Sequence, residues 1–147
     1  MNWSFLLYIS KRYGFRARWI RWMEACVCHC SLSVLVNSSR KKDFPMGKGL
    51  RQGDPLSPFL FTLVAEGLEK LLSKAITCGL YKGFRLSNSV EFHMLQFADD
   101  TIIIGEGSWS NLWSIKAVLR GFELVSGLNI NFSKSCLVGI NLRQRFM

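Results

Sequence analysis

The chain has 147 residues, which is enough for one domain or part of one. Hydrophobic residues make up 49% of it, so it can bury a core and is not a largely disordered chain. The net charge of +9 is concentrated in residues 1–51, which hold ten Lys and Arg but only two acids, for a net of +8. Such a basic region favours a polyanion such as nucleic acid as a partner, but a well-hydrated helical surface has the same composition. Composition leaves both interpretations open.

Five cysteines give an odd count with no regular spacing: Cys26, Cys28, Cys30, Cys78 and Cys136. This favours free thiols in a reducing, intracellular compartment, nuclear or cytoplasmic. The closely spaced group at 26–30 does not have the C-x(2–4)-C spacing of zinc sites, and no second ligand pair follows it.

No targeting or membrane segment is evident in the sequence. Lys11 and Arg12 interrupt the apolar start, which argues against a signal peptide. The longest apolar stretch, residues 59–65, is far too short to span a bilayer, so no membrane partner is expected.

The basic first part of the chain is predicted to be helical, with helices over residues 3–13 and 16–30 separated at Gly14. Several apolar residues of the second helix recur at helical spacing and are expected to face a core: Trp19, Trp22, Met23 and Cys26. Arg16, Arg18 and Arg21 are expected to cover the other side of this helix, where they are the candidate nucleic-acid-binding residues.

The middle of the chain is predicted to form a hairpin and then a loop that leads into a long helix. Residues 33–37 are predicted to be a strand, 38–42 a polar turn and 43–48 a return strand. In the Gly- and Pro-rich loop 49–58, Asp54 is a suitable N-cap and Pro55 a suitable first helical residue. The helix should run to about Thr77, with an apolar stripe of period 3.6 that comprises Leu56, Phe59, Leu60, Leu63, Val64, Leu68, Leu71 and Leu72.

The last part of the chain is predicted to alternate between strands and a helix. Residues 80–86, 91–98 and 101–105 have strand-like patterns, and a helix over about 109–126 should end at Gly127. Residues 128–140 are predicted to be extended. Helices followed by mixed strands and packed helices indicate an α+β fold.

Asp99 and Asp100 are adjacent carboxylates between two strongly apolar runs. Two adjacent carboxylates cost a great deal if they are buried unpaired, and they rarely occur within a β-prone core sequence without a reason. One interpretation is the turn of a hairpin, because Asp is a turn former. The other is a cation site, because hard divalent ions prefer carboxylate oxygens.

Three motifs in this order resemble the palm of a reverse transcriptase, with the closest likeness to non-LTR, LINE-type retrotransposons. They are the loop from Leu50 to Pro58, the segment from Phe97 to Asp100, and the segment from Gly127 to Asn131 followed by Lys134. The resemblance covers essentially the whole chain. It implies a partial reverse transcriptase domain with a small antiparallel sheet and packed helices, organised as a helical basic segment (1–31) and a palm core (32–147).

The resemblance also implies the site residues, cofactor and partners. Asp99 would be the principal metal ligand, Asp100 would support it, and Mg2+ or Mn2+ would be the cofactor of a two-ion reaction. Lys134 would lie near the triphosphate, where it could offset charge or protonate the leaving pyrophosphate. Arg51, Gln52 and Gly53 would lie near the incoming nucleotide and the template. The partners would be an RNA template, a DNA primer and deoxynucleoside triphosphates.

One motif of the family has no counterpart in this sequence. Such palms carry a further aspartate on an earlier strand, and neither Glu24 nor Asp43 matches it. The residues from Asn2 to Leu6 resemble the sequence that follows that motif. The sequence therefore predicts a palm fragment that is inactive alone. Two alternatives remain: a non-catalytic basic nucleic-acid-binding module, and an inert pseudogene product.

Overall fold

The computed structural model describes residues 1–87 and 90–140, and it has the mixed α+β composition that the sequence predicts. Four α-helices lie in this part of the chain: α1 (Trp3–Arg12), α2 (Ala17–Met23), α3 (Ser57–Thr77) and α4 (Trp109–Ser126). Its strands are short and form two-stranded antiparallel sheets. The chain divides into two compact units, Met1–Val64 and Ala65–Met147, which are described separately.

In the first unit, α1 is held at its start by side-chain and backbone hydrogen bonds. The Asn2 carboxamide oxygen accepts from the amide N–H of Ser4 at 2.9 Å, as an N-cap does. The indole N–H of Trp3 donates to the carbonyl of Gly49 at 2.8 Å, and the amide of Gly49 donates to the carbonyl of Met1 at 2.9 Å. The start of the chain is thereby fixed against the Gly-rich loop, and α1 buries Leu6.

The predicted helix over residues 16–30 is wrong in its second half. α2 ends at Met23 and continues as a π-helical turn, Glu24–Cys28, which changes the phase of the helix and leaves Cys26 exposed. Ile20 and Met23 are buried, three residues apart on one face. Trp22 therefore lies outside that face and is 53% exposed, contrary to the prediction that it faces the core.

The predicted hairpin is present, but its strands and turn differ from the expected ones. β1 (Ser31–Leu32) pairs with β4 (Phe44–Pro45), and β2 (Leu35–Val36) pairs with β3 (Ser39–Arg40). The turn consists of Asn37 and Ser38, both at positive φ (48° and 61°). Positive φ at both central residues is the pattern of a two-residue turn that matches strand twist, so the turn is shorter than the polar composition of 38–42 suggests.

The long helix α3 begins at Ser57 and not at Pro55. The carboxylate of Asp54 accepts from the amide of Leu56 at 2.8 Å, so it closes a local turn before the helix. The helix ends at Thr77 as predicted and is followed by Gly79 at φ 71°. Most of the predicted stripe is buried, but three of its members are exposed: Leu56, Phe59 and Leu71.

The core of the second unit is built around Tyr81. It is 1% exposed and clusters with Leu72 and Ala75 of α3, with Met94, Ile103, Ile115 and Val118 packed against them. Its hydroxyl donates to the carbonyl of Ile104 at 2.7 Å, and burial raises the pKa of Tyr81 to about 12. The hydroxyl is therefore satisfied inside an otherwise apolar cluster.

A buried asparagine joins α4 to the segments that flank the strands of this unit. The carboxamide N–H groups of Asn111 donate to the carbonyls of Lys82 (2.7 Å) and Glu106 (2.9 Å), and its oxygen accepts from the amide of Lys82 at 3.0 Å. Ser108 caps the same helix by accepting from the amide of Asn111. These bonds satisfy backbone groups that α4 would otherwise bury unpaired.

The strands of the second unit form two hairpins. β5 (Phe84–Ser87) pairs with β6 (Val90–Phe92), and β7 (Met94–Phe97) pairs with β8 (Asp100–Ile103). The predicted strand over 91–98 is therefore interrupted at His93, where the chain changes pairing partner. The predicted extended segment 128–140 contains no strand and includes a turn at residues 132–134.

Candidate functional site

The β7–β8 hairpin presents the two adjacent aspartates. Its turn consists of Ala98 and Asp99, whereas Asp100 is the first residue of β8 and pairs with Phe97. The prediction that both aspartates form the turn is therefore wrong by one residue. Ala98 adopts φ 51°, a backbone conformation that costs a non-glycine residue about 1 kcal/mol.

The packing of the hairpin against the Tyr81 core explains this register. Met94 and Ile103 lie opposite each other, and both pack on the cluster formed by Leu72, Ala75 and Tyr81. The amide of Ile104 donates to the carbonyl of His93 at 3.0 Å, which extends the ladder beyond the strands. A turn at Asp99 and Asp100 would shift the register and break the Met94–Ile103 pair, so burial selects the observed turn.

The carboxylates of Asp99 and Asp100 are exposed, and neither takes part in an ion pair with a described residue. Asp100 shares its face of the hairpin with three apolar side chains, Leu95, Phe97 and Ile102, which are 50%, 85% and 60% exposed. Two free carboxylates on a rigid turn suit a hard divalent ion in donor type. They supply only part of a ligand set, and residues 1–87 and 90–140 contain no cluster of three His, Cys, Asp or Glu side chains able to hold a metal.

Lys134 lies in a turn organised by Asn131. The Asn131 carboxamide oxygen accepts from the Ser133 hydroxyl at 2.6 Å and from the Lys134 amide at 3.3 Å, and the Asn131 carbonyl accepts from the Ser135 amide at 3.1 Å. The Lys134 side chain is exposed and forms no ion pair with Asp99, Asp100 or any other acid among the described residues.

Glu123 of α4 anchors the segment that carries Lys134. Its carboxylate accepts from the amide of Ile130 at 2.7 Å and from the guanidinium of Arg120 at 2.6 Å. The bond from Ile130 is the main cause of the lowered pKa of Glu123, and Arg120 adds to it. Gly127, at φ 65°, ends α4 and turns the chain back, and Arg120 also lies 4.8 Å over the ring of Phe132.

The loop with Arg51, Gln52 and Gly53 belongs to the first unit, and all three residues are exposed. The carbonyl of Arg51 accepts from the Ser57 hydroxyl at 2.7 Å and from the Asp54 amide at 3.3 Å, which closes the loop onto the start of α3. Gly53 adopts φ 81°, and a Cβ there would meet open space. The backbone conformation, and not crowding within the chain, is what requires glycine at this position.

The predicted arginine surface is also in the first unit. Arg16, Arg18 and Arg21 are all exposed, and none forms an ion pair with an acid in the part of the chain that the structure describes. The Arg18 guanidinium lies 4.8 Å above the ring of Trp22, a cation–π arrangement that occupies part of its surface.

Sequence reasoning missed a polar cluster beside the hairpin. The Ser73 hydroxyl donates to the Glu69 carboxylate at 2.6 Å, and Nε2 of His93 lies 3.4 Å from that hydroxyl and 3.5 Å from the carboxylate. His93 immediately precedes β7, so the cluster holds the start of the hairpin against α3. Glu69 and Ser73 are spaced i, i+4 on a helix, but nothing local in the sequence links them to His93.

Comparison with known proteins confirms the family that the sequence resembles. The family model for reverse transcriptase (RNA-dependent DNA polymerase) matches residues 1–143, so this chain belongs to the reverse transcriptase family. Among its relatives is the Pol polyprotein of the type-2 retrotransposable element R2DM of Drosophila melanogaster, which is 32% identical over 99 residues. That match covers 67% of this chain and 9% of the polyprotein.

Two further relatives match parts of this chain. The transposon TX1 149 kDa protein of Xenopus laevis is 25% identical over 132 residues, which cover 90% of this chain and 10% of that protein. An uncharacterized mitochondrial protein of Arabidopsis thaliana is 45% identical over 76 residues, 51% of this chain and 62% of that protein. The chain thus resembles non-LTR retrotransposon proteins, and it spans less than two thirds of each of these relatives.

Among the residues that the structure describes, no helix combines the length and apolar character needed to cross a bilayer.

Proposed function

We propose that the β7–β8 hairpin of this chain is the metal-binding element of RNA-templated DNA synthesis. The observation that carries the proposal is the turn itself. Asp99 and Asp100 are exposed and form no ion pair within the described ranges, and they lie at the end of a hairpin whose register is fixed by the Tyr81 core. A preorganised position of this kind is what a carboxylate needs to hold an ion without reorganising.

The chemistry assigns a role to each residue of the hairpin. Mg2+ or Mn2+ bound there would stabilise the attacking 3′-hydroxyl and the leaving oxygen of an in-line phosphoryl transfer. Asp99 is the principal ligand and Asp100 supports it. Ala98 has a small side chain beside them, which leaves room for a DNA primer terminus to approach the carboxylates.

Residues outside the hairpin act on the nucleotide and the template. Lys134 is exposed on its Asn131 turn and is suited to offset triphosphate charge or to donate a proton to pyrophosphate. Gln52 offers an amide donor and acceptor, and Gly53 leaves backbone accessible to the deoxynucleoside triphosphate and the RNA template. Arg51 supplies a positive charge in the same loop.

We further infer that the 147 residues alone do not extend a primer. The hairpin contributes two carboxylates, and no third acid forms a cluster with them among the described residues. A two-ion reaction needs ligands that hold both ions, so this set should lack several kcal/mol of transition-state stabilisation. The test is primer extension on an RNA template with Mg2+ or Mn2+. Templated incorporation that Asp99→Asn abolishes would overturn the inference.

Nucleic-acid binding without catalysis is a second candidate, favoured by the exposed arginines of the first unit. Phosphate contacts by Arg16, Arg18 and Arg21 would release counterions, so RNA affinity should fall steeply between roughly 50 and 200 mM salt. Replacing all three with Gln should weaken binding at low salt. Replacing Lys70, Lys74 and Lys82 removes the same charge from the second unit and should weaken it less. Equal effects would show that only net charge matters.

A further inference from the structure

A partly buried histidine joins α3 to the base of the β7–β8 hairpin. His93 is the residue between β6 and β7, and its carbonyl accepts from the amide of Ile104 at 3.0 Å. Its ring nitrogen Nε2 lies 3.4 Å from the Ser73 hydroxyl and 3.5 Å from the Glu69 carboxylate. The side chains of His93 and Glu69 are only 23% and 31% exposed. Glu69, Ser73 and His93 are called the His93 cluster below.

The hydroxyl proton of Ser73 limits the forms that the His93 ring can take. That hydroxyl donates to the Glu69 carboxylate at 2.6 Å, so the oxygens of Ser73 and Glu69 both present lone pairs to Nε2. A bare Nε2 would meet only lone pairs, and it must therefore carry a hydrogen. The ring is either the neutral Nε2–H tautomer or the imidazolium, and only the imidazolium forms an ion pair with Glu69.

The distances favour the charged ring. A good N–H···O hydrogen bond measures about 2.7–3.2 Å, so a neutral ring gains little from its two longer contacts. Attraction between opposite charges falls only as the inverse of distance and persists at this separation. Burial would raise the pKa of Glu69, but hydrogen bonds from Ser73, Lys70 and His93 outweigh it and lower that pKa. Glu69 thus remains a carboxylate in the pH range in which a histidine gains its proton.

The other charged groups near His93 have partners of their own. On α3, the second carboxylate oxygen of Glu69 lies 3.0 Å from Nζ of Lys70. On β6, the Glu91 carboxylate lies 3.7 Å from Arg85 and accepts from the amide of Gly83 at 2.9 Å. On the side of β8, the chain contributes isoleucine side chains and a backbone amide. Within the described ranges, Glu69 is therefore the acid that forms an ion pair with His93.

We propose that the His93 cluster is a pH-dependent anchor for the β7–β8 hairpin. While the ring is protonated, its ion pair with Glu69 holds the start of β7 on α3. Once the ring loses its proton, the charge attraction is lost and the hairpin opens more readily. Histidine changes charge between about pH 5 and 8, so the anchor weakens as the pH rises through that range. The same hairpin carries Asp99 and Asp100, so the position of their carboxylates would depend on pH, a consequence that rests on the proposed function.

The test is hydrogen–deuterium exchange of the full chain, measured without added metal at about pH 5.5 and about pH 7.5, on either side of the ordinary histidine pKa. The readout is the protection of residues 94–104, corrected for the intrinsic pH dependence of amide exchange. Protection should be greater at the lower pH by roughly threefold to fivefold, the upper end for a partly exposed ion pair. Because no metal is present, the result does not depend on whether the aspartates bind an ion.

Variants of the pair identify the source of the pH dependence. His93→Gln and Glu69→Gln each remove one charge and keep hydrogen-bonding groups, so each should make the protection the same at both pH values. His29→Gln is the matched control, because it removes the other histidine of the chain, which is exposed and belongs to the first unit. It should keep the pH dependence of the parent.

Three results would overturn the proposal. One is equal protection of residues 94–104 in the parent chain at both pH values, a measurement that needs no variant to fold. Another is a pH dependence that survives in His93→Gln or in Glu69→Gln. The third is a pH dependence that His29→Gln abolishes.

Discussion

At Gly105 the structure leaves no room for a side chain. A Cβ there would overlap the Tyr81 hydroxyl and approach the carbonyl oxygen of Lys82 to 2.7 Å. Tyr81 is 1% exposed and hydrogen-bonded to Ile104, so it cannot swing away. Gly105→Ala should therefore lower the free energy of unfolding by about 1–3 kcal/mol, as other overpacked cores do.

The control for this prediction is Gly121→Ala. Gly121 lies inside α4, where a Cβ would meet nothing within 4 Å. This substitution should raise the free energy of unfolding by up to about 1 kcal/mol, because Ala is the better helix former. Denaturant unfolding of both variants is the measurement, and equal effects would contradict the described packing of Tyr81.

Glu123 makes a pH-dependent contribution to stability. The hydrogen bond from the Ile130 amide, with that from Arg120, lowers the pKa of Glu123 in the folded chain. The Glu123 carboxylate therefore adds to the free energy of unfolding at pH values above its unfolded-state pKa, roughly 4.3. This stabilisation is lost as the pH falls through the lower folded-state pKa. Glu123→Gln should be less stable than the parent at neutral pH, and the difference should shrink in acid.

Unfolding at a series of pH values measures this difference. Glu66→Gln is the control, because Glu66 is exposed on α3, makes no ion pair within 4.0 Å among the described residues, and contributes least to the raised pKa of Lys70. It should follow the parent chain at every pH. A Glu123→Gln deficit that persists unchanged at low pH would show that the carboxylate charge is not what anchors the Lys134 segment.

At the scale of elements, the hairpin stores strain at one residue. Ala98 adopts φ 51° beside the two aspartates, and glycine tolerates this conformation without cost. Ala98→Gly should therefore raise the free energy of unfolding by up to about 1 kcal/mol, less the entropy that glycine adds to the unfolded chain. Denaturant unfolding measures the effect.

Ala117→Gly is the matched control, since Ala117 is exposed within α4. The same change there should lower the free energy of unfolding by about 1 kcal/mol. An equal loss of unfolding free energy in both variants would contradict the left-handed backbone conformation of Ala98.

Periodicity in the sequence predicts the long helices, but it does not predict turn positions that depend on tertiary contacts. The extent of α4 and the end of α3 follow from apolar spacing and from the glycines that terminate them. The turn residues Ala98 and Asp99 do not follow from the sequence. Asp forms turns more readily than Ala, so the sequence favours Asp99 and Asp100, and only the packing of Met94 and Ile103 selects the observed register.

In the candidate site, too, some residues can be predicted from local sequence and others depend on the fold. The motif residues Asp99, Asp100 and Lys134 were identified by resemblance, since their composition alone allowed an ordinary turn and a solvated lysine. Supporting residues such as Glu123 and His93 were not found, because their partners are distant in sequence and depend on the fold. The roles of the motif residues stay predictions.

At the scale of the whole molecule, the described residues bury few large apolar side chains and expose many. Thirteen hydrophobic residues form the core, whereas twenty-five large ones are exposed. Exposed apolar surface of this extent promotes association. We therefore expect the isolated chain to be poorly soluble and to unfold with low cooperativity, which sedimentation and denaturant unfolding can measure. A soluble, cooperatively unfolding monomer would contradict this.

The hairpin face offers a sharper form of this test. Replacing Leu95, Phe97 and Ile102 with Thr should raise solubility without lowering the unfolding midpoint, because these side chains are at least half exposed. Leu72→Thr, at a fully buried position, should unfold the chain. If the triple variant is no more soluble, association occurs through another surface.

Local backbone cleavage by Fe2+ with ascorbate tests whether the Ala98–Asp99 turn and Asp100 hold a divalent ion, as we propose. Fe2+ takes the place of the native ion and generates radicals that cut the chain where it is held. We expect cuts within residues 97–101 that excess Mg2+ suppresses. Asp99→Asn with Asp100→Asn should remove them, whereas Asp43→Asn with Asp54→Asn should not. Absence of cuts at the hairpin, or cuts that persist in the Asp99 and Asp100 double variant, would contradict it.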